Sequence, residues 1–258
     1  MQAINDYCSV TRTATGIAQL TITNAGSLNI MNSAVMNGVR EGLELLAQDR
    51  DIRALVVRGS GEKSMIGGAD IKEMATLDQA SAEKFITTLR DLCEAARQFP
   101  APVIARLRGW CLGGGLEFAA ACDLRIASED AKFAMPEVKV GIPSVVEAAL
   151  LPRLIGWGRT SWLLLTGDNI SAAKAEARGL VEIVVPAANI DAAIEHCVNS
   201  IATEATPLAM RAQKRLMRRW ERLPLDEAVQ AGIDAFAQSV AEGEHLERMS
   251  AFINRKKK

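Results

Sequence analysis

The chain has 258 residues, of which 49% are hydrophobic, and its 30 basic and 31 acidic side chains leave a net charge of -1. That is ample apolar material for a substantial core. Near-neutrality excludes a global field directed at nucleic acid or at an anionic membrane surface.

In chain order, Tyr7 to Thr13 and Ile17 to Thr23 read as short strands joined by a turn at Thr15-Gly16, with Ala18, Leu20 and Ile22 alternating with polar residues. Asn29 to Ser33 offers an N-cap, and Val35, Met36, Val39, Leu43 and Leu46 then recur at helical spacing. Arg53 to Arg58 is a strand whose continuous apolar middle predicts a sheet covered on both faces and partly parallel. Gly59-Ser60-Gly61 ends it and opens a loop through Gly67-Gly68-Ala69-Asp70. A helix from Ser81 to Phe99 closes at Pro100, and Val103 to Leu107 is the next strand. It leads into Gly109-Trp110-Cys111-Leu112-Gly113-Gly114-Gly115-Leu116-Glu117, a glycine turn followed by alanine and leucine at helical spacing. Asp123 to Ala127 reads as a strand and Lys132 to Glu137 as an extended segment turned by Pro136. From about Val145 the pattern is mostly helical (Val145 to Ile155, Arg159 to Thr166, Ser171 to Arg178), interrupted by one strand at Val181 to Val185. Helices then run from Asp191 to Thr203, Pro207 to Glu221, Leu225 to Glu242 and Glu244 to Arg255. The expected organisation is an α/β core over 1–190 and a helical region over 191–258.

Five cysteines (Cys8, Cys93, Cys111, Cys122, Cys197) are widely spaced with no C-x-x-C pair, which fits structural thiols in a reducing compartment. The two histidines, His196 and His245, have no partner at zinc-ligand spacing, so no metal is expected. Met1 to Val10 lacks the basic and apolar regions of a signal peptide, and no uncharged run is long enough to span a bilayer. A cytoplasmic protein without membrane contact is expected. Basic residues thicken at Arg211 to Arg219 and Arg255 to Lys258, read as a solvated helix face, with a small phosphorylated ligand as the alternative.

The chemistry concentrates at the glycine turns. Bare backbone at a helix start leaves unpaired N–H groups at the positive end of the helix dipole. Glu117 then sits in the first turn among Leu116, Phe118, Ala119 and Ala120, and a carboxylate buried there is costly unless it is paired or used. Two turns, around Gly68-Ala69 and Gly113-Gly114, each present a donor suited to a carbonyl oxygen that becomes an oxyanion or enolate; one such donor is worth about 3 to 4 kcal/mol of barrier. Glu117 and Glu137 would complete the site as acid and base. The bland alternative is two ordinary turns and two surface acids.

Three blocks carry a resemblance. Ser64-Met65-Ile66-Gly67-Gly68-Ala69-Asp70-Ile71-Lys72-Glu73-Met74, the Gly109 to Glu117 stretch, and Phe133-Ala134-Met135-Pro136-Glu137-Val138-Lys139-Val140-Gly141-Ile142-Pro143 closely resemble, in order and spacing, the signature blocks of the enoyl-CoA hydratase/isomerase (crotonase) superfamily. The likeness runs over nearly the whole chain. It implies a spiral of ββα repeats, a helical C-terminal region that forms trimers or a dimer of trimers, and an acyl-CoA thioester as substrate, with coenzyme A brought by the substrate and no separate cofactor. By this resemblance the oxyanion-hole amides fall on Ala69 and Gly114, and the two acids of a hydratase on Glu117, which activates water, and Glu137, which supplies the α-carbon proton. Two acids facing one water are expected to hold one proton between them, with one pKa raised. Substrate and CoA contacts fall on Gly67, Gly68, Asp70, Ile71 and Lys72, the last near the phosphates. Phe252 and Arg255 of the last helix fall where the family reaches a neighbouring subunit's adenine and phosphate; an amphipathic-helix core is the other reading of Phe252.

The departures are local. Asn24-Ala25-Gly26-Ser27-Leu28-Asn29 lacks the basic residue usual in the first CoA-contacting loop, and Ser144-Val145-Val146-Glu147 replaces a small, glycine-rich run. Glu147 reads as a solvent-facing helix residue or as a determinant of substrate choice. Met65 replaces a frequent aromatic, a change expected to be benign. The expected activity is reversible hydration of a 2-enoyl-CoA in fatty acid metabolism, with isomerisation on the same scaffold as the nearest alternative. A non-catalytic acyl-CoA-binding protein is the alternative from another class, and its mark, loss of the acids, is absent. Neither a G-x-G-x-x-G dinucleotide fingerprint nor a G-x-S-x-G nucleophile elbow is present.

Overall fold

Short apolar runs, alternating or continuous, become strands and the longer period-3.6 runs become helices in the computed structural model, which describes residues 1–255 apart from the side chains at 251 and 255. The strands are β1 (Gln2–Asn5), β2 (Cys8–Arg12), β3 (Ile17–Ile22), β4 (Ala54–Gly59), β5 (Ser64–Ile66), β6 (Val103–Leu107), β7 (Trp110–Leu112), β8 (Leu124–Ser128), β9 (Lys132–Ala134), β10 (Ile170–Ser171) and β11 (Ile183–Val185). The helices are α1 (Ser33–Ala47), α2 (Ile71–Met74), α3 (Gln79–Gln98), α4 (Gly114–Ala121), α5 (Leu151–Ile155), α6 (Trp157–Thr166), α7 (Ala172–Arg178), α8 (Ile190–Asn199), α9 (Pro207–Trp220), α10 (Leu225–Glu242) and α11 (Glu244–Arg255).

Seven strands form one sheet in the order β1-β2-β3-β4-β6-β8-β11, and four form a second in the order β10-β9-β7-β5. From β4 to β9 the chain alternates between them. Each turn of the resulting spiral therefore leaves one strand in each sheet, and the helices α3 and α4 close the first two turns.

Pairing from β3 through β11 in the large sheet is parallel, and both of its faces are covered, as the uninterrupted apolar runs require. Leu55 and Val57 of β4 point into the main core with α1 and α3 residues such as Leu43 and Leu89, while Ala54 and Val56 point the other way onto Ile190, Ile194 and Val198 of α8. From Ile190 on, every element among the described residues is a helix. None of the described helices is long and apolar enough to cross a membrane.

Four places depart from the pattern-based reading. Strands β5, β7 and β10 have two or three residues each, too few to register a period, and Gln2–Asn5 joins the sheet as an extra edge strand. The extended reading of Lys132 to Glu137 holds only to Ala134, after which Glu137–Val140 makes one 3₁₀ turn. Val145 to Ile155 is a 3₁₀ turn at Val146–Leu150 running into α5, because Val146 stands at φ +45°. Finally, the Arg211 to Arg219 cluster is a solvated face only in part: Arg215 and Arg219 are exposed, whereas Lys214 and Arg218 turn inward and reach Asp123 at 2.6 and 2.7 Å. Asp123 also accepts from the Val103 N–H, so α9 is clamped to the strand starts of β6 and β8.

Candidate active site

Strands β9, β7 and β5 lie side by side and parallel, so their C-terminal ends form one edge, the usual location of ligand sites in open parallel sheets. The three blocks are the three segments that leave this edge. Ala69 follows β5, the glycine turn follows β7, and Pro136-Glu137 follows β9. Together they wall a cavity of about 570 Å³ whose lining includes Gly67, Gly68, Ala69, Ile71, Gly113, Gly114, Glu117 and Glu137. Apolar side chains of α3 (Phe85, Ile86, Leu89) and of the loop after Glu137 (Val140, Ile142, Val145) close the rest.

Ala69 and Gly114 both line this space. Met31 bridges the loop by donating to the Gly68 carbonyl and accepting from the Asp70 N–H, both at 2.9 Å. Because a parallel bridge uses the groups flanking the paired residue, the intervening Ala69 N–H lies on the other side of the chain. Gly114 opens α4, where the first amides have no intrahelical acceptor. Its neighbours are glycine for reasons of their own. Gly113, at φ +51°, turns the chain, and a Cβ there would overlap Glu137 Oε1; a Cβ on Gly115 would stand 2.5 Å from the Ile66 carbonyl of β5.

The acids are held differently. Glu117 is 3% exposed; its Oε1 accepts from the Val145 N–H at 3.3 Å, and its Oε2 has no protein partner among the described residues. Burial, reinforced by the charges of Glu137 and Glu147, pushes its pKa up to about 8. Half-buried Glu137 stands on the 3₁₀ turn, where its Oε2 accepts from the Ser144 hydroxyl at 2.8 Å.

This burial has a consequence for stability. The native pKa of Glu117 lies above the ordinary carboxyl value of 4.5, so the folded state binds more protons than the unfolded one between those values. Its contribution is complete below about pH 4.5 and is lost as pH rises through about 8. Glu117→Gln, permanently neutral, escapes that loss. The Tm of the variant relative to the parent is therefore expected to rise between about pH 5 and about pH 9, and a constant difference across scanning calorimetry runs would count against the buried acid.

Other residues singled out from sequence fall in several places. Gly67, Gly68 and Ile71 line the cavity. Asp70 is engaged as the N-cap of α2, accepting from the Lys72 N–H at 2.8 Å, and Lys72 is exposed outside the lining. Phe252, 61% exposed on α11, does not line its own chain's cavity; Arg255 ends that helix and its side chain lies outside the described residues. Glu147 is not the solvent-facing residue expected: it is 9% exposed beside the Cys93 thiol, outside the cavity lining. Burial raises its pKa. Ser144 and the Val145 N–H were missed; the only available signal was that a Ser-Val-Val run replaces glycines directly after Pro143.

Alternating sheets, a spiral of ββα turns and a strand-end cavity holding two amides and two carboxyls define a crotonase-fold protein. The model of the enoyl-CoA hydratase/isomerase family matches residues 12–258. The chain is 33% identical to the short-chain-enoyl-CoA hydratase of Clostridium acetobutylicum over 93% of its length and 92% of that protein's. It is also 33% identical to the crotonyl-CoA hydratase of Syntrophomonas wolfei, covering 93% of each. A crystal structure of an enoyl-CoA hydratase from Mycobacterium smegmatis superposes with a TM-score of 0.93 at 30% identity, over 97% of both chains. The chain belongs to the enoyl-CoA hydratase/isomerase family.

Proposed function

We propose that the protein is an enoyl-CoA hydratase, adding water reversibly across the α,β double bond of a 2-enoyl-CoA to give a 3-hydroxyacyl-CoA. The observation that carries this reading is the meeting of both carboxyls and both strand-end amides in one cavity, in a chain of this family.

The Ala69 and Gly114 N–H groups grip the thioester oxygen and stabilise the enolate that forms as water attacks the β-carbon. Burial favours the protonated form of Glu117. For Glu117 to activate water, that proton passes to Glu137, which delivers it to the α-carbon while Glu117 takes one from the attacking water. The cycle closes with one proton again shared by the pair. Coenzyme A is part of the substrate, so no further cofactor is invoked. Gly67 and Ile71 at the cavity support CoA contacts there, with Lys72 toward the phosphates.

On α10, Leu225, Val229, Ile233, Phe236 and Val240 are exposed at helical spacing. Such an apolar stripe supports self-association, as a trimer or a dimer of trimers. In that assembly Phe252 and Arg255 serve a neighbour's CoA. The five unpaired cysteines support a cytoplasmic setting.

The test follows loss of the conjugated thioester absorbance for 2-enoyl-CoAs of increasing chain length, beside 3-enoyl-CoAs. Formation of 3-hydroxyacyl-CoA from the 2-enoyl series is the expected result. Conversion of 3-enoyl-CoA alone assigns the protein to isomerisation, and binding without turnover to a non-catalytic role.

A further inference from the structure

The two carboxyls stand on different elements, yet two consecutive residues touch both. Ser144 donates its hydroxyl to Glu137 Oε2 at 2.8 Å, and Val145 donates its N–H to Glu117 Oε1 at 3.3 Å. Glu117 needs little help in holding its place, because its whole helix is buried. Glu137 is in the opposite position. It stands on a four-residue 3₁₀ turn in which no residue is buried, and Gly113 leaves open the space beside its Oε1. The Ser144 hydroxyl is the side-chain donor that fixes which of its oxygens faces the cavity.

The loop around Ser144 is itself held in an unusual conformation. Val146, β-branched, stands at φ +45°, a region such side chains avoid unless the surroundings impose it. On its far side, Glu147 and Ala148 are buried and anchor the turn on α3 and α4. The chain reverses sharply at Val146, which leaves Ser144 and Val145 facing the acids while the next two residues enter the core. A glycine at 144, as the family resemblance leads one to expect, would have no hydroxyl to offer.

We propose that Ser144 is a positioning residue for the reaction: its hydroxyl occupies Glu137 Oε2 and thereby presents Oε1 to the substrate and its water. The role assigned to Glu137 rests on the hydratase reading, whereas the hold of Ser144 on its carboxyl does not. Ser144 itself makes no contact with the reacting atoms.

Ser144→Ala and Ser144→Thr in the full-length chain test this, with 2-enoyl-CoA hydration measured across pH and crystal structures of both free variants. Ser144→Ala is expected to lower kcat about tenfold while KM stays within about twofold, the pattern of a misplaced catalytic group rather than weakened binding. Its pH–kcat profile shifts, and the Glu137 carboxyl leaves its present orientation. Ser144→Thr keeps the hydroxyl and restores kcat, profile and orientation. A parent-like kcat and profile in Ser144→Ala overturns the proposal; so does an unmoved Glu137 in that variant, or a loss that threonine does not restore. Should the parent fail to hydrate any 2-enoyl-CoA, the hydratase reading falls, and the Glu137 orientation in the two free variants still decides for or against Ser144.

Discussion

Glu137→Gln is expected to lower kcat for hydration by about 10²- to 10⁴-fold, the usual contribution of one positioned proton-transfer group. The amide matches the carboxyl in size and retains an oxygen that accepts from Ser144, so the cavity keeps its shape. What it loses is the exchangeable acid proton. In barrier terms the loss is about 3 to 5 kcal/mol, at 1.36 kcal/mol per tenfold. Because Glu137 is half-buried on a surface turn, the variant should fold normally, with a parent-like circular dichroism spectrum and Tm. Glu117→Gln should lose activity on the same scale, and the double variant little more than either single, because the pair acts as a unit. A Glu137→Gln protein with parental kcat would remove the hydratase assignment.

The second large effect is expected of Gly113→Ala, a change of one methyl group. Gly113 stands at φ +51°, ψ -124°, where an L side chain is strained by about 1 to 3 kcal/mol. The added Cβ also falls on Glu137 Oε1, so the carboxyl must leave the position from which it works. Misplacing a catalytic group by about 1 Å costs about 100-fold in rate, and that is the loss expected in kcat, accompanied by a fall in Tm. Repeating the substitution in a Glu137→Ala background separates the two causes. With the carboxyl gone, only backbone strain remains, so the drop in Tm becomes smaller. An equal drop in both backgrounds would show that Gly113 and Glu137 do not meet.

The sequence read well wherever the signal was local. The helix holding Glu117, the glycine turns and the strand of Arg53 to Arg58 all follow from patterns within a few residues. It read poorly where the outcome depended on distant packing. The basic run in α9 looked solvated, yet Lys214 and Arg218 close on Asp123, some ninety residues away in the chain. Glu147 looked like a surface acid because its exposure depends on how Val146 bends the chain. The two- and three-residue strands carry no period of their own and exist only through their neighbours.

By itself, then, the sequence determined the chemistry on offer: a bare helix N-terminus at Gly114, an acid three residues later, a second glycine turn at Gly68-Ala69 and a second acid after Pro136. Backbone freedom, unpaired first-turn amides and apolar surroundings are properties of short stretches, which is why they were legible. Tertiary structure alone decided that these pieces share one cavity, through the parallel register of β5, β7 and β9, and that the Glu117 carboxyl is buried, which raises its pKa. Strand pairing is settled by hydrogen bonds between segments remote in sequence, and proton affinity by everything packed around a carboxyl.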